Sequence, residues 1–430
     1  MSNDFLKRAG DIVIDDLSIY TRGGESVSLT DYLVELNLYE SIFAPYITGN
    51  IVLSDSKNLL KNIPILGEEL IYVKVRTPGI DSEIFKVFRV CGLDSKTYVK
   101  DGNTQVYILQ LSSAEGFKDT LNPIFKSFSG KPAKIVNDIF TTYLSSNKSE
   151  LTIVNEPSNI LKFVSPGWSP IKCINWICGN SEASNSKSST FLFWETTKGF
   201  YFGNIDSLVN LSHRYSAGPY YYSSAKVAGN ALSPEKEMFT IKDIKFLDIF
   251  DLLKNRMDGY LASTVIDVNL FNKEYENYEY DHITSFGNYD HTLKDDSLPS
   301  YSTSTLRNPL SFIELNYNYP NLYTNARDNY LERKKYFAGN RRSNILELTN
   351  IDVEITIPGR TDLECGTFIN MVLPEVNPQY SEDIAGGNNT DSLYSGKYLI
   401  TNLNHKITLV SHVISASVTK DCFSSKEFFK

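Results

Sequence analysis

Five cysteines, five histidines and four methionines are few for 430 residues. The cysteines, at Cys91, Cys173, Cys178, Cys365 and Cys422, are odd in number and lack framework spacing, so disulfides do not organise the fold and buried free thiols are expected. Cys173 and Cys178 lie in an apolar helical stretch with no histidine or second cysteine pair nearby to complete a tetrahedral metal site; they read as core. Long apolar runs are missing as well. The start, Met1 to Arg8, has no secretory h-region, and no later stretch of about eighteen residues is uncharged and apolar. No membrane insertion is expected, and a chain made and assembled in a cytoplasm.

Positive charge is in deficit. Forty-two Lys and Arg against fifty-one Asp and Glu leave a formal charge of -9, which argues against duplex binding, since that affinity comes from cations displacing counterions. A local exception runs from Arg327 to Arg342, where Arg333, Lys334, Lys335 and Arg341 sit among Asp328 and Glu332. It reads as a solvated or subunit-facing helix, an anion contact being the other reading.

Catalytic signatures are missing too: the sequence has no phosphate loop, dinucleotide fingerprint, HExxH or GxSxG. Gly130-Lys131 is followed by Pro132 and Gly396-Lys397 by Tyr398, so neither supplies the hydroxyl a phosphate loop needs for magnesium. His405 and His412 bracket a turn at 406–411 and, without a carboxylate constellation, are assigned to structure. Among Asp15, Asp16, Glu68, Glu69, Glu195, Glu364 and Glu375, some pair would fall at glycosidase spacing by chance, so a glycosidase cannot rest on them. Tyr220-Tyr221-Tyr222 could stack on sugar or pack in an interface, and interface packing is preferred. No catalytic, cofactor or metal residue is assigned.

What is present is a β-rich pattern. An opening hairpin is read over 11–20 and the Gly23-Gly24 turn. Leu33 to Tyr39 alternates with period two, and strands follow at Thr48 to Leu53, Glu69 to Val75, Ile84 to Leu93 and Gln105 to Ser112. A barrel is preferred because it removes open edges. Helices are expected over Pro132 to Leu144 and Pro170 to Cys178, then an aromatic hairpin at Phe191 to Glu195 and Gly199 to Phe202. A helix over Phe246 to Met257 precedes a strand at Thr264 to Asn269 and a long exposed insertion from Glu274 to Ser304. Strands return at Leu346 to Ile357, Phe368 to Leu373, Tyr398 to Leu403 and Val413 to Thr419. Ile369, Met371 and Leu373 repeat the alternation of Ile71, Val73 and Val75, and each set is followed by two further strands, a pattern of internal duplication.

The order and spacing of several segments resemble a family. Tyr32 to Glu40, Pro45 to Gly49, Asp55-Ser56 and Leu59 to Glu69 are similar to the opening of baseplate central hub proteins of contractile-tailed (myovirus) bacteriophages. These are related to the hub and spike-base proteins of contractile injection systems. The resemblance continues at Lys131 to Leu144, Ser169-Pro170, Ile174 to Trp176, Phe191 to Thr196 with Gly199-Phe200, and Gly396 to Asn402 with His405. The 274–304 insertion and the loop Ala385 to Thr390 match nothing in it.

The resemblance implies an α+β, β-rich fold: two tube-like antiparallel β-barrel domains plus an α+β outer region. The first barrel is expected over 1–118, completed by about 200–245, the outer domain over 119–200 and 246–343, and the second barrel over 344–430. It implies a structural hub and no enzyme, a homotrimeric ring adapting a three-fold spike to a six-fold tail tube. Implied partners are the central spike protein, the tail tube or tube-initiator protein, baseplate wedge proteins and the tape-measure protein, with DNA passing through without specific binding. The implied place is the virion tail baseplate, assembled in the host cytoplasm. No cofactor is implied. A wall-degrading or glycan-binding tail protein is the competing reading.

Overall fold

The computed structural model describes residues 5–421 except 22, 64, 68, 100–102, 146, 148–149, 184–187, 223–232, 250, 270–272, 287–310, 317–329, 349–350, 375–390 and 392. The expectations for Glu68, Glu375, Cys422, Arg327, Asp328, the loop Ala385 to Thr390 and the 287–304 part of the insertion therefore lie outside the described residues.

The first β unit comprises β1 (Val13–Tyr20), β2 (Ser26–Ser28), β3 (Leu33–Ser41), β4 (Thr48–Asp55), the short helix α1 (Leu59–Asn62), β5 (Leu70–Arg76), β6 (Glu83–Tyr98) and β7 (Gln105–Ser113). The opening hairpin is β1 with β2, turning at Gly23-Gly24. Alternation decides the faces: Leu36, Leu38, Ile51, Leu53, Ile71, Val73, Val75, Leu109 and Leu111 all point into one core.

The α+β segment follows with α2 (Ala114–Leu121), β8 (Ile124–Gly130), α3 (Pro132–Ile139), β9 (Leu151–Ile153), β10 (Leu161–Trp168), α4 (Pro170–Gly179), β11 (Phe191–Thr196) and β12 (Gly199–Asn204). Helix α3 opens on Pro132, whose fixed φ suits a first turn, and α4 on Pro170 behind Ser169, whose hydroxyl accepts the Lys172 N–H. Their apolar faces meet the aromatic hairpin β11–β12 in a second core that holds Cys173 and Cys178.

Beyond lie β13 (Tyr215–Tyr222), α5 (Pro234–Glu237), β14 (Thr240–Ile241), β15 (Asp243–Asp248), α6 (Leu252–Met257), β16 (Ala262–Asn269), β17 (Glu274–Asp281), α7 (His282–Ser285), β18 (Ser311–Asn316) and α8 (Tyr330–Glu347). The chain closes with β19 (Ile351–Pro358), β20 (Phe368–Val372), β21 (Gly396–Ile407) and β22 (His412–Lys420).

Four expectations change. The segment expected to complete the first unit pairs instead with the C-terminal strands, β13 with β20 and β15 with β19, because Ile244 and Phe246 alternate toward the C-terminal core. The helix expected over 246–257 begins only at Leu252, where Asp251 accepts the Lys254 N–H; its first residues belong to β15. Glu274–Asp281, expected within an insertion of low order, is a strand laddered to β16, as its Tyr-rich alternation permits. Leu346 and Glu347 end α8 rather than starting a strand.

Among the described residues fourteen strands form one continuous sheet, and their ladders draw a single β-rich system rather than two separate closed barrels. The two β units within it are joined by the antiparallel ladder of β21 with β3, from Asn402↔Ser41 to Ile407↔Leu36. Each core also takes a residue from across this joint: Ile407 lies in the first, and Ile42, just after β3, in the second.

The expected duplication is visible strand by strand. In each unit a three-strand meander, β5-β6-β7 or β20-β21-β22, continues into two more antiparallel strands, β4-β3 or β19-β15. The irregularity between Val90 and Gly92 corresponds to that between Ile400 and Asn402. Next to it, Val90 donates its N–H to Glu69 O as Ile400 does to Thr367 O. The row Leu93-Leu109-Ile51-Leu36 across the first unit has its counterpart in Leu403-Ala416-Ile355-Ile244 across the second.

Candidate assembly site at the hairpin joint

Three buried glutamates converge where the aromatic hairpin meets the two β units. Glu40, near the end of β3, accepts the N–H of Thr197 in the hairpin turn at 2.7 Å and that of Cys365 at 2.9 Å. Glu195, on β11, accepts the Ile47 N–H at 2.9 Å and the Lys86 ammonium of β6, also at 2.9 Å. Glu364 accepts Nη1 of Arg214 at 2.6 Å and the hydroxyls of Thr196 and Tyr201. The Arg214 guanidinium lies 4.0 Å from the centroid of the Tyr201 ring. Thus one hairpin is fixed to the first unit through Glu195 and to the second through Glu364, while Glu40 ties strand, turn and C-terminal loop together.

Burial sets the protonation of this cluster. It pushes the Glu40 carboxyl up to about 7, and the neighbouring Glu364 charge acts in the same direction. Burial also raises Glu195, with Lys86 opposing it. His405 on β21 comes within 3.9 Å of Glu40, and its Nδ1 lies 3.0 Å from Nε2 of His412 on β22. Burial holds both imidazoles neutral, His405 well below its usual range and His412 down to about 3. Gly359 packs flat against the His412 ring, and the His412 backbone is held by Gly10 O and Gly359 N–H.

The arrangement is mechanical in character. Each carboxylate is engaged by hydrogen-bond donors of the protein itself, and a sugar could reach one only by displacing those partners. Among the described residues no cluster of His, Cys, Asp and Glu could hold a metal ion, and no helix is long and apolar enough to cross a membrane.

The remaining candidates are scattered. Asp15 pairs with Arg76 on the surface, Asp16 lies beside it on β1, and Glu69 accepts the N–H groups of Leu66 and Gly67. Lys131 meets Glu156 at 3.3 Å, and Lys397 lies on β21. Tyr220 is fully buried, whereas Tyr221 is 53% exposed. Arg341 departs most from expectation. Its Nη1 donates to the carbonyls of Cys178, Ser189 and Phe191, so this cation of the basic helix is turned inward. Glu40 and Arg214 went unnoticed in the sequence, because the hydrogen bonds of the Glu40 carboxylate and the Arg214–Glu364 pair span 150 or more positions and no local motif accompanies them.

No protein-family model matches the sequence, and no curated protein matches it. Solved structures do. The chain is similar in fold to a tail protein from Neisseria meningitidis MC58, with a TM-score of 0.52, 11% identity, and coverage of 94% of this chain and 96% of that one. It is likewise similar to the 43 kDa tail protein of prophage MuSo2 from Shewanella oneidensis, with a TM-score of 0.51, 11% identity, and coverage of 95% and 99%. Both of these proteins are tail proteins, and this chain shares their fold over nearly its whole length.

Proposed function

We propose that this chain is a structural subunit of a phage tail baseplate, its central hub, and not an enzyme. The observation that carries the reading is the fold likeness to two tail proteins over at least 94% of each chain compared. The matched ladders of the two β units support it further, since they are what a tube-like unit repeated within one chain would leave. Three such chains form a ring of six similar units, which adapts a three-fold spike to a six-fold tail tube. The outer region is made by 119–200 and 249–343. The second tube-like unit, 344–430, is completed by 215–248.

On this reading the partners are two further copies of the chain, the central spike, the tube or its initiator, the wedge proteins and the tape-measure protein, within the virion tail. DNA passes through the ring without specific binding. The surplus of -9 per chain favours passage, because acidic groups facing the lumen repel phosphate over roughly the 8 Å Debye length. The buried carboxylates hold the hairpin in place, which disfavours the wall-degrading alternative. Native mass spectrometry of the chain with its spike partner tests the proposal: three copies per complex are expected, and a single copy defeats it.

A further inference from the structure

The internal β21–β3 ladder has no counterpart inside the chain at the matching strands of the other pairing. Beyond Val90, β6 is laddered to β7 alone, and β15 is laddered to β19 alone, among the described residues. Yet β6 corresponds to β21 and β15 to β3, by the residue rows above. The exposure of equivalent residues records the difference. Leu403 is 2% exposed and Ile407 fully buried beside β3, whereas their equivalents Leu93 and Tyr98 are 42% and 66% exposed. On the other strand Leu36 is buried, while its equivalent Ile244 is only partly so and the nearby Leu247 is 45% exposed.

We infer that the far half of β6 pairs, antiparallel, with the free edge of β15 in a second copy of this chain. The register follows from the internal joint. Lys406↔Asn37 and Ile407↔Leu36 translate into Thr97↔Lys245 and Tyr98↔Ile244 between chains. Backbone donors and acceptors on both edges gain partners, and the exposed apolar groups Leu93, Tyr98 and Leu247 are covered. Asp94 comes opposite Asp248, whose charge is shared with Lys254 at 3.8 Å. The contact is head-to-tail: each copy offers β6 to one neighbour and β15 to the other, so it closes only as a ring. Three internal and three intermolecular joints of one geometry then alternate around it. The inference rests on the proposed trimeric ring and specifies the surface that builds it.

The test is site-directed cross-linking of the full chain in a Cys91→Ser background, since Cys91 is exposed beside the proposed edge. T97C/K245C treated with a short bismaleimide is expected to run as a covalent trimer, while K126C/K245C, with Lys126 exposed on β8, remains uncoupled. Native mass spectrometry of the same samples separates the two levels. A non-covalent trimer that T97C/K245C fails to link overturns the edge pairing and leaves the ring intact. A chain that stays monomeric with and without its spike partner overturns both.

Discussion

His405 and His412 face one another across the β21–β22 hairpin, Nδ1 to Nε2 at 3.0 Å, with both rings buried and neutral. Below about pH 6.5 the unfolded chain takes up protons on both imidazoles that the folded chain refuses. Between about pH 4.5 and 6.5 the fold in turn keeps a proton on Glu40 that the unfolded carboxylate has lost. Of these three groups the unfolded chain therefore holds one proton more, and they make stability rise with pH by about 1.4 kcal/mol per unit across that window. Below it only the imidazoles act, until His412 titrates near 3, and the slope steepens. Urea midpoints measured against pH should show this, and His412→Gln should flatten the curve while leaving the fold intact. A His412→Gln curve with the same slope as the wild type from pH 4.5 to 6.5 would remove the argument.

Gly359 is irreplaceable for a different reason. A Cβ there would come within 2.0 Å of the His412 ring, which the strand ladder and the Gly10 contact prevent from withdrawing. Gly359→Ala should cost about 1–3 kcal/mol, and adding His412→Ser should recover part of the loss. Strictly additive losses in thermal unfolding would contradict the contact.

The pair Lys86 with Glu195 should be asymmetric to mutation. Lys86→Met leaves a carboxylate that is 1% exposed without its cation and should cost about 3–5 kcal/mol. Glu195→Gln keeps an acceptor for the Ile47 N–H and leaves only the better exposed Lys86 unpaired, so it should cost less. Denaturant titration of both variants and their double mutant checks the order.

Arg341→Met should loosen the end of α4 and the start of β11, because one guanidinium nitrogen satisfies the carbonyls of Cys178, Ser189 and Phe191. The expected cost is about 1.5–3 kcal/mol. Hydrogen exchange should quicken in those segments and leave the β1–β5 ladder unaffected. Cys173→Ala, by contrast, is a small core change of about 1 kcal/mol.

Local periodicity made most elements legible. The alternation of Leu33 to Tyr39, the Pro132 and Pro170 helix starts and the 191–202 hairpin each carry their signal within a dozen residues. The repeat of Ile71-Val73-Val75 in Ile369-Met371-Leu373 was visible too, but its meaning emerges from the ladders, where each triplet runs along the first strand of a meander with the same irregularity. What stayed hidden was everything decided by distant partners. Phe246 to Asp248 reads as the start of a helix until β19 recruits it. The basic run around Arg341 looks solvated until the carbonyls at 178, 189 and 191 are seen to need a donor. Histidines assigned to structure by default prove to be paired across two strands, which spacing alone could not specify.

The β21–β3 ladder also sets a schedule. Asn37 and Asn404, which bond across it, are 367 positions apart, so a ribosome adding about 5–20 residues per second releases the second strand roughly 20–70 seconds after the first. Throughout that interval the β3 edge stands open beside a first unit that has otherwise received all its strands, with Ile407 still missing from its core. Nascent chains crowded on one message would offer each other the very edge that the finished molecule keeps for itself. Slower synthesis should therefore lengthen the exposure of this edge and lower the share of chains that reach the native form.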